Sequence, residues 1–293
     1  MIWILYAFLS AVFSTVSTIF RKRTLIKEHS ITFLATNKIF QLIIVCVLLP
    51  FINFKLALSV YALIAVIAVL GVEGDIFWTK ALKRLNISIA SPLTNISPAI
   101  VVILAYFILN EKITILQIIG IIFIVLGAYV LEADHKFSDF KRVYEHLKNS
   151  KYSIMLFFSL IIGAFSSIGE RYVLGNNFLK PITMLFFVYL FTTVLIVSIQ
   201  VLDDRKLKKI KRTMKRAKLP IFITAVSGLL TTAFYYLAIK DAYISLVMPI
   251  LLTSTLLTTV LGGQFFKEGN LLYKSISCII MLIGVALVIG SSI

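Results

Sequence analysis

Apolar residues run along this chain in ten long blocks separated by short polar breaks. The blocks cover approximately residues 2–20, 32–52, 59–79, 86–109, 114–132, 152–172, 180–202, 219–239, 245–266 and 271–291. Each approaches the roughly 20 residues that a helix needs to cross a bilayer. None shows the polar–apolar alternation of a membrane strand, and a backbone in lipid must satisfy its own hydrogen bonds. The pattern predicts ten transmembrane helices, numbered here helices 1 to 10. The first block has no basic leader and no small-residue cleavage site, so it is expected to be kept as a span rather than removed as a signal peptide.

The pattern also repeats. Shifting residues 81–130 by 157 positions lays them on 238–287 without a gap. Ala81, Lys83, Ser88, Pro92, Ser97, Glu111 and Gly127 then meet Ala238, Lys240, Ser245, Pro249, Ser254, Glu268 and Gly284. Chance in Ile/Leu-rich sequence does not align a proline inside a span, a Glu and a Gly in one frame. Helices 1 and 6 share the register weakly, with Phe13-Ser14-Thr15 opposite Phe165-Ser166-Ser167 at a slightly different offset. Five spans per copy, an odd number, turn the second copy upside down. The expected fold is an all-α membrane protein of ten transmembrane helices, arranged as two inverted five-helix repeats over 1–132 and 152–293. The connecting segment 133–151 carries Phe137, Phe140, Val143, Tyr144 and Leu147 at helical spacing, which predicts a short helix on the membrane surface.

Composition agrees with the pattern. Of 293 residues 60% are hydrophobic and 14% charged, against roughly a quarter charged in a soluble domain. The net charge of +16 would point to nucleic acid in a soluble protein. Here the charge sits between spans, where it sets orientation and meets anionic headgroups. Its densest tract, 205–218, has no interleaved aromatics, so no nucleic-acid partner is expected. Lys and Arg number 22 in the odd-numbered loops and 5 on the opposite side, which predicts cytoplasmic odd loops and both termini outside. Cys46 and Cys278 lie in apolar runs and read as buried small hydrophobes. His29, His135 and His146 all fall in polar loops; no metal site, triad or cofactor is expected.

Certain residues carry a resemblance. Ala81-Leu82-Lys83, Ser88-Ile89-Ala90-Ser91-Pro92, Ser97-Pro98, Leu109-Asn110-Glu111-Lys112-Ile113-Thr114, Gly120 and Leu126-Gly127 form a pattern that resembles the EamA-like family of the drug/metabolite transporter superfamily. Ala238-Ile239-Lys240, Ser245, Pro249, Lys267-Glu268-Gly269 and Gly284 are similar to the same motif again. The resemblance implies a ten-helix basket around a central cavity lined mainly by helices 3, 4, 8 and 9 with 1 and 6. It implies that helices 5 and 10 pack the halves together or form a homodimer. Members are usually drawn with cytoplasmic termini, the reverse of the loop count. The superfamily moves amino acids, sugars, nucleotide- and lipid-linked compounds and cations, so the resemblance names no substrate.

Features present in both copies read as structural; features that break the repeat are candidates for recognition. Pro92 and Pro249 open the helix ladder at matching depths and free carbonyls that either face a cavity or only kink the helix. Glu111 and Glu268 stand at span ends, where a carboxylate caps or pairs. Gly120 and Gly127, seven apart, suit close helix packing, as do Ser277 and Gly284. Glu73 and Asp75 break the repeat, facing Leu230 and Thr232. A carboxylate in the bilayer costs a few kcal/mol or more unless paired, hydrated or protonated. The two lie about 200° apart around a helix, so at most one points into a cavity unless Gly71 and Gly74 break helix 3. Asp75 shares a face with Trp78, whose repeat partner is Tyr235; Glu73 is expected to pair with Lys38. Asn95 follows the helix-4 proline and breaks symmetry with Leu252. Glu73, Asp75, Trp78, Asn95, Tyr235 and Lys38 are the candidate substrate or coupling residues. Ser10, Ser14, Ser17 and Arg21 on helix 1, and Asn37 and Gln41 on helix 2, form weaker polar stripes that suit interhelical glue. Glu170-Arg171 reads as a gate pair or an interfacial ion pair.

The reading that results is a secondary transporter of a small polar metabolite in the cell membrane, working by alternating access, proton-coupled or not. It would act as a monomer or as a homodimer through helices 5 and 10. A lipid-linked flippase is the nearest alternative; a membrane-embedded enzyme or a channel belongs to another class. No Walker sequence for an ATPase occurs, and the loops offer no catalytic cluster.

Overall fold

The computed structural model describes residues 2–25, 28–84, 96–132, 151–201, 210, 213–214, 218–254, 257–258 and 271–290. Ten helices carry the described chain: α1 Ile2–Leu25, α2 Ser30–Val45, α3 Leu58–Arg84, α4 Ser97–Leu109, α5 Ile115–Glu132, α6 Lys151–Gly175, α7 Pro181–Val201, α8 Lys218–Asp241, α9 Ile244–Leu251 and α10 Leu271–Gly290. Among the described residues, six segments are long and apolar enough to cross a membrane: α1, α2 with its continuation to Phe51, α3, α6, α7 and α8. Apolar side chains such as Ile115, Phe107 and Leu282 lie exposed, while Thr36, Asn37, Thr224 and Ser245 are buried. That inside-out distribution is what a lipid solvent selects.

Local chemistry explains where the helices depart from the ten apolar blocks. Pro50 has no N–H and crowds the carbonyl four residues back, so the α-ladder of α2 ends at Val45 and a 3₁₀ turn, Cys46–Phe51, finishes the span. Cys46 opens that turn exposed, not buried as its apolar run suggested. α1 continues past the hydrophobic block to Leu25 and takes Arg21 into the helix. Asn110 ends α4 in the left-handed conformation, φ 53°, which Asn tolerates better than most residues; the chain turns there and Glu111 swings into the protein. α3 is continuous through Gly71 and Gly74. The predicted surface helix at 133–151 lies, but for Lys151, outside the described residues, as do Pro92, Asn95 and Glu268.

The helices pair mostly between the two halves. α1 packs on α8 and α3 on α6; α2 meets α7, α4 meets α9, and α5 meets α10. Exchanging every helix for the one five places on maps this scheme onto itself. The α5–α10 contact is closest at Gly120 and Gly284: a β-carbon on Gly284 would sit 2.6 Å from the Gly120 carbonyl oxygen. The small residues expected to allow close approach are thus used across the halves within one chain. Polar stripes join helices as well. On α1, Ser10 donates to the Thr231 carbonyl at 2.9 Å and Thr15 to that of Ser254 at 3.2 Å.

Candidate functional site: a polar cavity between the halves

α3 and α6 run antiparallel in close contact. Ser166 donates to the Ile67 carbonyl at 3.3 Å, and a β-carbon on Gly74 would stand 3.6 Å from the Ser159 carbonyl oxygen. Glycines on both helices keep the backbones near one another and leave space beside them. That space is a cavity of about 410 Å³, within the range of small-molecule sites. The first half supplies Arg21 from α1, Lys38 from α2, Gly71, Gly74, Asp75 and Trp78 from α3, and Ser97 from α4. The second half supplies Ser159, Ser166 and Glu170 from α6, Tyr189 and Thr192 from α7, and Thr232 and Tyr236 from α8.

Four charged side chains organise its wall. Lys38 Nζ lies 3.3 Å from Asp75 Oδ2 and 5.2 Å from the centre of the Tyr189 ring. Tyr189 is fixed in turn by a 2.9 Å hydrogen bond between its hydroxyl and that of Thr232. Arg21 sits over Trp78, 5.1 Å from the ring centre. Glu170 accepts a hydrogen bond from the Tyr236 hydroxyl at 2.8 Å and makes no ion pair with any described residue.

Of the candidates read from the sequence, Lys38, Asp75 and Trp78 come together on this wall. Lys38 takes Asp75 as its partner, not Glu73. Glu73 stands exposed on the opposite stripe of α3 with Ala62, Val66 and Val69, because two residues turn a helix by about 200°. Tyr235 is half-buried beside Tyr236, ring centres 5.7 Å apart, and Tyr236 is the one that lines the cavity. Pro249 is buried and does not line it. The sequence reading did not rank Glu170, Tyr189, Thr232 or Arg21 as site residues. Thr232 was within reach, since it is the repeat partner of Asp75.

A second polar cluster lies at the end of α6. Arg171 parts from its neighbour Glu170 and pairs with Glu111 Oε1 at 3.3 Å. It also donates to the carbonyls of Ile239 and Lys240, the free C-terminal end of α8. Glu111 accepts from the backbone N–H groups of Ile244 and Ser245, at 3.0 and 3.1 Å, and from the Ser245 hydroxyl at 2.6 Å. One ion pair thus covers the carbonyls that close α8 and the amides that open α9. The expectation that Glu111 caps or pairs is met by both at once, on a helix of the other half.

A membrane-embedded helical bundle whose repeated halves enclose a polar cavity has the architecture of a solute carrier. The comparisons agree. The EamA-like transporter family matches residues 1–132 and 150–290, and this chain belongs to that family. An uncharacterized protein of Methanocaldococcus jannaschii, MJ1333.1, is 34% identical over 131 residues, which cover 44% of this chain and 94% of that protein. A solved crystal structure superposes with a TM-score of 0.71 over 97% of this chain and 95% of its own, at 14% identity; it shares the fold.

Proposed function

We propose that this chain is a secondary transporter that carries a small polar metabolite across the cell membrane by alternating access between two inverted five-helix halves, 1–132 and 152–293, as ten spans. The observation that carries the reading is the cavity: both halves build its wall, and ionisable and hydroxyl-bearing side chains face it from within membrane-spanning helices. Such groups are costly in a bilayer and mark solute and proton pathways. The pairing scheme supports inversion, since rocking one half against the other would exchange equivalent contacts. One chain completes the cavity; a homodimer through the outer faces of α5 and α10 leaves it intact. Saturable uptake with counterflow in proteoliposomes tests the reading, because a channel or a scaffold gives no counterflow.

Asp75 and Glu170 are the acids placed to couple transport to protons. Asp75→Asn or Glu170→Gln is expected to abolish uptake or to flatten its pH dependence in protein that still folds and inserts. Normal transport by both single variants and the double from about pH 5 to about pH 8 would remove protons from the mechanism.

Orientation follows the loop charges, with both termini outside. A cysteine placed at Ile293 is expected to react with an impermeant reagent in intact cells. Reaction only after permeabilisation reverses the assignment.

A further inference from the structure

The charges on the cavity wall do not cancel locally. Lys38 and Asp75 neutralise each other, and the Glu170 carboxylate is engaged by Tyr236. Arg21 pairs with no carboxylate and donates no hydrogen bond to any described residue. A guanidinium held over an aromatic ring presents its N–H fork at its edge, and that fork matches a carboxylate or a phosphate with two parallel hydrogen bonds. We propose that the cavity takes an organic anion, its carboxylate or phosphate held by Arg21 against Trp78. This rests on the transporter reading and names its substrate class.

The layout also limits what else the ligand needs. Both acids on the wall are already engaged, Asp75 by Lys38 at 3.3 Å and Glu170 by the Tyr236 hydroxyl at 2.8 Å. An ammonium group on the ligand therefore adds nothing. Trp78, Tyr189 and Leu160 give the body of the anion an aromatic and aliphatic wall beside the hydroxyls of Ser166 and Thr192.

The chain has two tryptophans, so in a Trp3→Phe background Trp78 reports on the site by its own fluorescence. Purified protein in nanodiscs is titrated with 3-phenylpropionate, phenyl phosphate, phenylalanine, 3-phenylpropionamide and 3-phenylpropylamine, with calorimetry alongside. Saturable binding of the carboxylate or the phosphate is expected, and those two arms distinguish the anion preferred. The amide and the amine bind at least tenfold more weakly, and phenylalanine no tighter than 3-phenylpropionate. Arg21→Gln weakens anion binding at least tenfold, while Arg21→Lys, which keeps the charge, loses less. Binding of the amine or of phenylalanine without 3-phenylpropionate overturns the proposal, as does unchanged anion affinity in Arg21→Gln. Anion binding without counterflow would leave the site standing and remove the transporter reading; counterflow of amines only would do the reverse.

Discussion

Glu111→Ala is expected to destabilise the protein by about 3–5 kcal/mol, the cost of leaving one partner of a buried ion pair uncompensated. Its carboxylate is nearly inaccessible and accepts from two backbone amides, a hydroxyl and a guanidinium. Removal strips the cap from α9 and leaves Arg171 with two carbonyls and the face of Tyr243 but no carboxylate. Unfolding of purified protein in detergent measures the loss. A double-mutant cycle with Arg171→Gln is expected to give a coupling of about 1–3 kcal/mol, since contacting residues in one network do not act additively. A Glu111→Ala protein within about 0.5 kcal/mol of the parent would show that the network is not under load.

Gly284→Leu attacks the other main contact between the halves. A β-carbon at Gly284 would meet the Gly120 carbonyl oxygen at 2.6 Å and the Ile124 backbone nitrogen at 2.8 Å. Backbone atoms cannot swing aside as a side-chain tip can, so α5 and α10 must separate. Overpacking of a tight contact costs about 1–3 kcal/mol or more, and a leucine here is expected to reach the upper end or prevent folding. Gly284→Ala, the smaller insult, keeps the measurement within range. Ile279→Ala is the control: that side chain is 58% exposed on the outer face of α10, so a change within about 0.5 kcal/mol is expected. Equal effects at both positions would refute the packing argument.

The repeat, the helical class and the small-residue packing were legible because each depends on spacing alone. Pairing across the cavity was not. Spans that are apolar nearly all round give a weak directional signal, so Lys38 was assigned to Glu73, whereas the structure pairs it with Asp75. Tyr235 and Tyr236, about 100° apart around α8, posed the same ambiguity. Arg21 was read with the helix-1 polar stripe as interhelical glue, because spacing alone does not show that the end of α1, which runs on to Leu25, borders a cavity. For Glu111 the capping role was local enough to read; the identity of the capped helix depends on tertiary packing.

The helices of each half are covered mainly by those of the other.

For this chain the same feature sets a schedule of synthesis. The main partner of α1 is α8, which begins at Lys218. At about 5–20 residues per second, α1 waits roughly ten to forty seconds for it to leave the ribosome. Throughout that interval the hydroxyls of Ser10 and Thr15, which will bond across to Thr231 and Ser254, have no interhelical acceptor. The nascent first half therefore needs shelter, from an insertase or from its own backbone carbonyls, until the second half arrives.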